Sequence, residues 1–293
     1  MSVDFVTNKV LATFDQRRGL EGHWQVAGPV HTTRNCWIYK AHCENHPGAV
    51  AVKVYRKLNR SRPVSWYASA LRRYAAGMPA AKGLEVPKVL DVQSGRFTLL
   101  MEWMDAKPLR RVLLTQDLSP GQRARRIERC GAWLRQFHNL SDVRLEPFEY
   151  AKMAMHRQQH VERLESGGVQ LSSGSWPARA ARLLDAHATK FDGQEVAYCN
   201  VHGDVTTSNL MIRGQTVIGL DFDARRRLPL ATDVCRLLVH LDVCRYLPTP
   251  HWEMDETAGS RRDVEALRSG YGADMFPDGP FFSFVLLNDI VRR

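Results

Sequence analysis

The sequence lacks several features that mark specialised classes of protein. Its 293 residues contain no uninterrupted apolar stretch near the roughly 20 residues that a membrane-spanning helix needs. The opening residues, MSVDFVTNKV, show no charged-then-apolar signal pattern. The six cysteines form no C-x-x-C pair, which argues against a zinc ribbon or a disulfide scaffold. We therefore expect a cytoplasmic protein whose cysteines are reduced thiols in the core.

Acidic residues are the scarcer charge in this chain. There are 41 Lys and Arg against 31 Asp and Glu, which gives a formal net charge of +10. A basic surface favours anionic partners, such as nucleic acid, anionic lipid, phosphate or acidic sugars, and it would repel a polycationic substrate. Because the sequence offers no basic-and-aromatic stacking motif, we expect no nucleic-acid partner.

The first hundred residues have mainly the pattern of short strands. Two β-rich runs, 37–41 and 49–55, flank a His46-Pro47-Gly48 turn, which predicts an antiparallel hairpin with Lys53 inside its second strand. Strands are also predicted over 88–92 and 97–103. The one helix expected in this part extends from Val64 to Ala76.

Beyond residue 108 the pattern is mostly helical. Ser119-Pro120 is a favourable helix start, because serine is a good N-cap and proline suits the first helical position. Helices are also predicted over 149–164 and 176–190. The change of pattern near 101–108 predicts a sheet-rich part, residues 1–104, and a larger helical part, residues 105–293.

Polar residues with metal-binding chemistry follow two apolar runs between residues 197 and 223. Asp204 and Asn209 lie on a predicted loop, and Asp221 closes the second run. Carboxylate and amide oxygens suit Mg²⁺, which takes few protein ligands and usually binds alongside substrate phosphates. The pattern therefore points to nucleotide-dependent phosphoryl transfer.

This segment reads H-G-D-x-x-x-x-N and then an apolar run ending in D-F-D. It resembles the aminoglycoside phosphotransferase and choline kinase family of protein-kinase-like enzymes, and the resemblance extends over about residues 25–245. It implies an α+β, bilobal, protein-kinase-like fold. A small antiparallel-sheet N-lobe, residues 1–104, would bind nucleotide, and a larger, mainly helical C-lobe, residues 105–293, would carry catalysis and acceptor binding.

The resemblance also implies roles for single residues of the C-lobe. Asp204 would orient an acceptor hydroxyl and accept its proton, and His202 would brace the same loop. Asn209 and Asp221 would hold Mg²⁺ on the phosphates of ATP. Asp233 stands where the family has a buried aspartate that braces the catalytic loop.

In the N-lobe, Lys53 resembles the strand lysine that holds nucleotide phosphates. The backbones of Glu102 and Met104, in a stretch that resembles the hinge, would offer hydrogen bonds to adenine. Two departures stand out: the turn over 27–35 has no G-x-G-x-x-G, and the helix over 64–76 has no glutamate to pair with the lysine. These departures keep open an alternative, a weak or inactive pseudokinase that acts as a nucleotide-binding interaction module.

The acceptor is indicated mainly by charge. Arg225, Arg226 and Arg227 follow Asp221 closely and could grip a carboxylate or phosphate, or form a solvated basic loop. We expect a small-molecule acceptor, a sugar, lipid-linked saccharide or other anionic hydroxyl compound. The apolar run 281–287 before Arg292-Arg293 is either a peripheral membrane contact or a buried helix of the large lobe.

Overall fold

The structure, a computed structural model, describes residues 2–56, 63–114, 118–151, 162, 176–222, 226–245, 254 and 260–291. The chain divides into two compact units, Met1–Ala106 and Lys107–Arg293. Both units combine helices with antiparallel sheet, so the fold class is α+β.

Unit 1 is built on an antiparallel sheet. The described strands of unit 1 are β1 (Gln25–Val26), β2 (His31–Thr32), β3 (Cys36–His42), β4 (Val50–Tyr55), β5 (Leu84–Glu85), β6 (Val89–Gln93) and β7 (Thr98–Glu102). The sheet has the order β1-β3-β4-β7-β6, and β2 pairs with β3. The predicted hairpin is confirmed as β3–β4, and the two further predicted strands are confirmed as β6 and β7.

The two faces of strand β4 have different partners. Because side chains alternate along a strand, Val50, Val52 and Val54 share one face, and they are fully buried in an apolar cluster. Lys53 and Tyr55 share the other face. Helix α1 (Val64–Gly77) packs on that side, where Tyr55 lies against the cluster formed by Val64, Ala68 and Leu99.

The expectation of a single helix in the first hundred residues is wrong. Val3–Phe5, Val6–Leu11 and Ala12–Arg18 follow one another as an N-terminal helical segment. Its buried side chains join the cluster under β4, and they are Val6, Val10, Leu11 and Phe14. These positions lie on one helical face. The signal was present in the sequence, but polar runs at 7–9 and 15–18 interrupt the apolar residues that mark it.

Within the described ranges, unit 2 contains most of the helices. They are α2 (Leu109–Leu113), α3 (Pro120–Asn139), α4 (Trp176–Ala188), α5 (Ala231–Val243), α6 (Arg261–Tyr271) and α7 (Gly279–Val291). Its strands are β8 (Lys107–Pro108), β9 (Arg144–Pro147), β10 (Glu195–Val201), β11 (Leu210–Arg213), β12 (Thr216–Gly219) and β13 (Arg226–Pro229). Strand β10 lies between β13 and β9, and β11 pairs with β12 and β8.

Helix α3 begins as predicted at Pro120 behind the N-cap Ser119, and Gln122 completes a capping box. It packs closely against α6 at two glycines. A Cβ added to Gly270 would lie 1.7 Å from the Glu128 carbonyl oxygen, so glycine is required there.

The helix predicted over 176–190 is confirmed as α4, whereas most of the one predicted over 149–164 lies outside the described residues.

The apolar C-terminal run forms part of helix α7, and its apolar residues other than Leu287 are buried. Phe281, Phe282, Phe284, Val285 and Leu286 are inaccessible in the packing of α7 with α4 and α5. The structure therefore favours the second of the two alternatives for this run, a buried helix. None of the described helices combines the length and the apolarity needed to cross a membrane.

The six cysteines are buried free thiols, as expected. Burial raises the pKa of Cys130 to about 12, so this thiol stays protonated at neutral pH.

Candidate active site

The loop between β10 and β11 carries the first polar cluster. It is held at both ends by the buried residues Val201 and Leu210. The carbonyl oxygen of Thr206 accepts from the backbone N–H groups of Asn209 (3.0 Å) and Leu210 (3.2 Å), which closes the loop into a tight turn. Asp204 is exposed, while His202 and Val205, which are buried on either side of it, fix the backbone.

Asp204 and Asn209 are brought together on this loop. The amide nitrogen Nδ2 of Asn209 donates to the Asp204 carbonyl oxygen (2.8 Å) and to its carboxylate Oδ2 (3.0 Å). This arrangement leaves Oδ1 of Asn209 as the side chain's acceptor atom. The backbone oxygen of Asn209 also accepts from Leu220 N at 2.8 Å, which links the loop to the segment that carries Asp221.

Asp221 has an unusual backbone conformation. Its φ of 56° is in the left-handed region, which is uncommon for a residue other than glycine and is often found at functional sites. The next residue, Phe222, is buried against Phe137 (ring centroids 5.2 Å apart) and His202 (5.7 Å). The turn thus leaves Asp221 exposed beside an anchored phenyl ring.

His202 lies beneath the loop. It is fully buried among the rings of Trp133, Phe137 and Phe222. Its Nδ1 accepts from the backbone N–H of Asp204 at 3.3 Å, while its Nε2 has no hydrogen-bond partner in the described part of the chain. These contacts suit a residue that positions the loop.

Burial keeps the imidazole of His202 neutral. Burial lowers its pKa below 6.5, and this effect exceeds the opposing influence of the nearby carboxylates of Asp233, Asp204 and Asp221. An uncharged imidazole is compatible with its aromatic surroundings.

Asp233 braces the loop from helix α5, as predicted. Its carboxylate accepts from the backbone N–H groups of His202 (2.6 Å) and Gly203 (3.0 Å) and from His138 Nε2 (3.1 Å). His138 Nδ1 is 2.7 Å from the Tyr271 hydroxyl. Burial alone would raise the pKa of Asp233, but the bonds from His138 and Gly203 outweigh it and hold the pKa below 3.8. The carboxylate is therefore ionised at neutral pH.

Arg236 is a residue of this site that the sequence analysis missed. Its Nη1 donates to the carbonyl oxygen of Gly203 and lies 3.8 Å from Asp204 Oδ1. Its Nη2 pairs with Asp289 of α7 at 3.1 Å. A signal was available, because Arg236 follows Asp233 by three residues on a helix and so lies on the same face.

Arg226 and Arg227 lie on β13 beside the loop, and Arg225 lies outside the described residues. Arg226 is exposed and stands opposite Val201, the residue before His202, in the pairing of β13 with β10. Arg227 is directed toward β9, where it forms an ion pair with Glu146. Of the two described arginines, Arg226 is thus the one that is exposed beside the loop.

In unit 1, Lys53 lies in the middle of the sheet, and only 8% of its surface is exposed. Its ammonium is 5.4 Å from the centre of the Tyr55 ring, within the range of a cation–π interaction. Tyr55 stacks on Tyr67 of helix α1, with ring centroids 5.4 Å apart. Helix α1, which has no acidic residue, therefore contributes an aromatic side chain, Tyr67, to the surroundings of Lys53.

The predicted hinge follows β7. The N–H of Glu102 donates to the Lys88 carbonyl oxygen at 2.9 Å, and the N–H of Trp103 donates to Ala49 at 3.0 Å. Any contact of Glu102 with adenine would therefore use its carbonyl oxygen. Met104 is buried two residues further on.

The donor set fits Mg²⁺ bound jointly with phosphates. Asn209 Oδ1 and the Asp221 carboxylate are hard oxygen donors, and Mg²⁺ commonly takes one or two protein ligands and completes its shell with water and phosphate. Among the described residues, no three His, Cys, Asp or Glu side chains group into a metal site.

Comparisons with known proteins identify the family and the fold of the chain. The model of the phosphotransferase enzyme family matches residues 45–274. A search of curated proteins found no match. Among solved structures, spectinomycin phosphotransferase in complex with ADP and spectinomycin aligns with a TM-score of 0.63 and 15% identity, over 97% of this chain and 85% of that one.

Two further solved structures have the same fold. Glucosamine kinase in complex with glucosamine, ADP and inorganic phosphate aligns with a TM-score of 0.61 and 15% identity, over 100% of this chain and 78% of that one. A choline/ethanolamine kinase family protein from Mesorhizobium loti aligns with a TM-score of 0.55 and 16% identity, over 91% of this chain and 76% of that one. The predicted bilobal, protein-kinase-like α+β fold is confirmed. Because the family model matches more than half of its length, the chain belongs to the phosphotransferase enzyme family.

Proposed function

We propose that this phosphotransferase is an ATP- and Mg²⁺-dependent kinase that phosphorylates a hydroxyl group of a sugar or saccharide-type small molecule. The observation that carries the proposal is the catalytic loop itself. Asp204 is exposed and hydrogen-bonded to Asn209 at 3.0 Å, and the loop is joined through Leu220 to the left-handed turn at Asp221. This arrangement suits a general base, Asp204, beside two oxygen ligands for a metal ion, Asn209 and Asp221.

The chemistry follows from this arrangement. The acceptor oxygen forms a bond to the γ-phosphorus, the bond from that phosphorus to the β,γ-bridging oxygen breaks, and the hydroxyl proton passes to Asp204. ADP leaves with the electron pair of the broken bond. Positioned general bases of this kind contribute about 10²–10⁴-fold to a rate. When bound, Mg²⁺ would neutralise phosphate charge, with Asn209 and Asp221 as its protein ligands.

The remaining predicted residues would bind the nucleotide. Lys53 would pair with the α- and β-phosphates, and the carbonyl of Glu102 and the backbone of Met104 would contact adenine. The desolvated position of Lys53 strengthens its attraction for phosphate, because charges interact more strongly away from water.

The acceptor class is supported by two observations. Two neighbours of the same fold are named for glucosamine and spectinomycin, both of which carry ring hydroxyls. The net charge of +10 and the exposed Arg226 beside the loop favour an acceptor with an acidic group. Acidic sugars and lipid-linked saccharides combine both properties.

The test is Mg²⁺-dependent nucleotide consumption by the purified chain with a panel of acidic sugars, lipid-linked saccharides, amino sugars, aminoglycosides and choline. Asp204→Ala should abolish turnover, and Asp278→Ala, which removes an exposed carboxylate from the same unit, should leave it intact. Equal turnover by wild type and Asp204→Ala would refute the proposal.

The second candidate is the pseudokinase, favoured by the lack of an acidic residue in helix α1. It predicts that MgATP binds, as measured by titration calorimetry, while no acceptor of the panel is phosphorylated. Turnover that depends on Asp204 would exclude it.

A further inference from the structure

The buried ion pair between Arg236 and Asp289 connects helix α5 to the C-terminal helix α7. Arg236 donates from Nε (3.3 Å) and Nη2 (3.1 Å) to the same oxygen of Asp289. The side chains are 13% and 5% exposed, so both charges are largely removed from water. A pair at this depth is poor evidence of added stability, because apolar residues of similar volume often serve as well.

The other end of Arg236 contacts the catalytic loop. Nη1 donates to the carbonyl oxygen of Gly203, while Asp233, one helical turn earlier, accepts from the N–H of Gly203. Helix α5 therefore holds both polar backbone groups of this one residue. Gly203 has a φ of 82°, a conformation that glycine adopts readily, and it directly precedes Asp204. The orientation of Gly203 sets the direction in which Asp204 projects.

Arg236 also acts on the carboxylate of Asp204. Oδ2 of Asp204 accepts from Asn209 at 3.0 Å, while Oδ1 lies 3.8 Å from Arg236 Nη1. The longer distance exceeds that of a hydrogen bond but lies within the range of charge attraction. Oδ1 is thereby drawn toward Arg236 and keeps a lone pair for the acceptor hydroxyl.

We propose that Arg236, anchored by Asp289, is a positioning residue that aims Oδ1 of Asp204 at the acceptor hydroxyl and couples the C-terminal helix to the catalytic loop. The inference rests on the proposed role of Asp204 as the base. Lysine would not replace Arg236, because a single ammonium cannot hold the Asp289 carboxylate and the Gly203 carbonyl in the fixed fork of a guanidinium.

The experiment compares kcat and KM for Arg236→Met, the pair replacement Arg236→Met/Asp289→Leu, and a matched control. The pair replacement removes both charges, so no buried carboxylate is stranded and the fold is kept. The control is Arg123→Met. Arg123 pairs with Asp263 of α6 at similar burial, 16% and 7% exposed. It also donates to the carbonyl oxygens of Leu241 and Cys244 at the C-terminal end of α5, but not to the loop.

We expect both Arg236 variants to lower kcat by about 10²-fold, the cost of a misplacement near 1 Å, with the nucleotide KM within about twofold of wild type. Arg123→Met should retain the wild-type kcat. A kcat within about threefold of wild type in the pair replacement would overturn the inference.

A double-mutant comparison asks whether Arg236 acts through Asp204. In an Asp204→Ala background, Arg236→Met should give no further loss of the residual rate, because residues that act as a unit are not additive. A full further loss would show that Arg236 acts elsewhere and would overturn the inference.

Hydrogen exchange gives a readout that needs no substrate. The amides of residues 202–209 should exchange at least about tenfold faster in Arg236→Met than in wild type, and at the wild-type rate in Arg123→Met. If no acceptor is phosphorylated, the proposed function fails, and exchange alone decides the role of Arg236. Unchanged exchange would overturn the inference even in an active enzyme.

Discussion

Replacing Asp233 by asparagine removes one charge from the centre of unit 2 and changes little in shape. The carboxylate accepts three hydrogen bonds, two from backbone N–H groups of the loop and one from His138. An asparagine keeps one acceptor oxygen and places an NH₂ group where the other was. At least one N–H of the loop then faces a donor and stays unsatisfied in the core.

The cost can be worked from these contacts. A hydrogen bond to a charged group contributes about 1.5–3 kcal/mol, and an unsatisfied buried donor costs about 1–3 kcal/mol. We expect Asp233→Asn to lower the free energy of unfolding by about 3–5 kcal/mol, in line with broken buried charge pairs. For a unit of 187 residues, 107 to 293, this corresponds to a fall in Tm of about 6–20 °C.

The assay is thermal and urea unfolding followed by circular dichroism, together with turnover below the Tm of the variant. The pKa of Asp233 is below 3.8, so its ionised form stabilises the fold above that pH and the contribution is lost only as pH falls through the folded-state value. The difference between wild type and variant should therefore shrink only below about pH 4.

A matched control lies on the same helix. Asp242→Asn changes a carboxylate that is 46% exposed and should shift stability by less than about 0.5 kcal/mol. A Tm of Asp233→Asn within 2 °C of wild type, together with full turnover, would refute the reasoning that this carboxylate holds the loop; that margin is about 0.5–1 kcal/mol.

Three further predictions concern other parts of the structure. His202→Phe should lose less stability than wild type on acidification. The pKa of His202 is lowered, so the free energy of unfolding of wild type should fall by up to about 1.4 kcal/mol per pH unit below pH 6.5. Urea unfolding at pH 5–7 measures the difference. Gly270→Ala should destabilise by about 1–3 kcal/mol or more, because its Cβ would lie 1.7 Å from the Glu128 carbonyl oxygen. Tyr55→Leu should weaken MgATP binding up to about tenfold in calorimetry, through loss of the ring that faces the Lys53 ammonium.

Two of these predictions have a matched control variant. Gly121→Ala is the same substitution at the exposed start of α3, where the nearest atom is 3.9 Å away, and it should not destabilise. Tyr55→Phe keeps the aromatic face and should bind nucleotide like wild type. Parallel pH profiles for wild type and His202→Phe, or equal binding by Tyr55→Leu and Tyr55→Phe, would contradict the respective arguments.

The sequence predicted those parts of the fold that have strong local signals. The hairpin β3–β4, helix α1 and the start of helix α3 follow from alternation, periodicity and an N-cap. The N-terminal helical segment was missed because polar runs interrupt the apolar residues that mark it. The short strands β9 and β13 were missed because their pairing with β10 joins residues far apart in sequence, which no local pattern records.

The candidate site could be predicted as a set of residues but not as a network. The spacing of Asp204, Asn209 and Asp221 identified the segment, and the role of Asp233 as its brace is confirmed. The spacing from Asp233 could have indicated that Arg236 shares its helix face, but the contact of Arg236 with Gly203 depends on how helix α5 packs beneath the loop. The pairing of Arg227 with Glu146 likewise depends on the tertiary approach of β13 and β9.

The aromatic packing of His202 and Phe222 has a consequence for the energetics of turnover. Both rings belong to the core, and each directly adjoins a segment whose carboxylate is exposed. The conformational entropy of the loop and of the turn at Asp221 is therefore lost once, when the unit folds, and not again each time a substrate arrives. Binding energy from the acceptor then remains for orienting the hydroxyl instead of ordering the backbone that receives it.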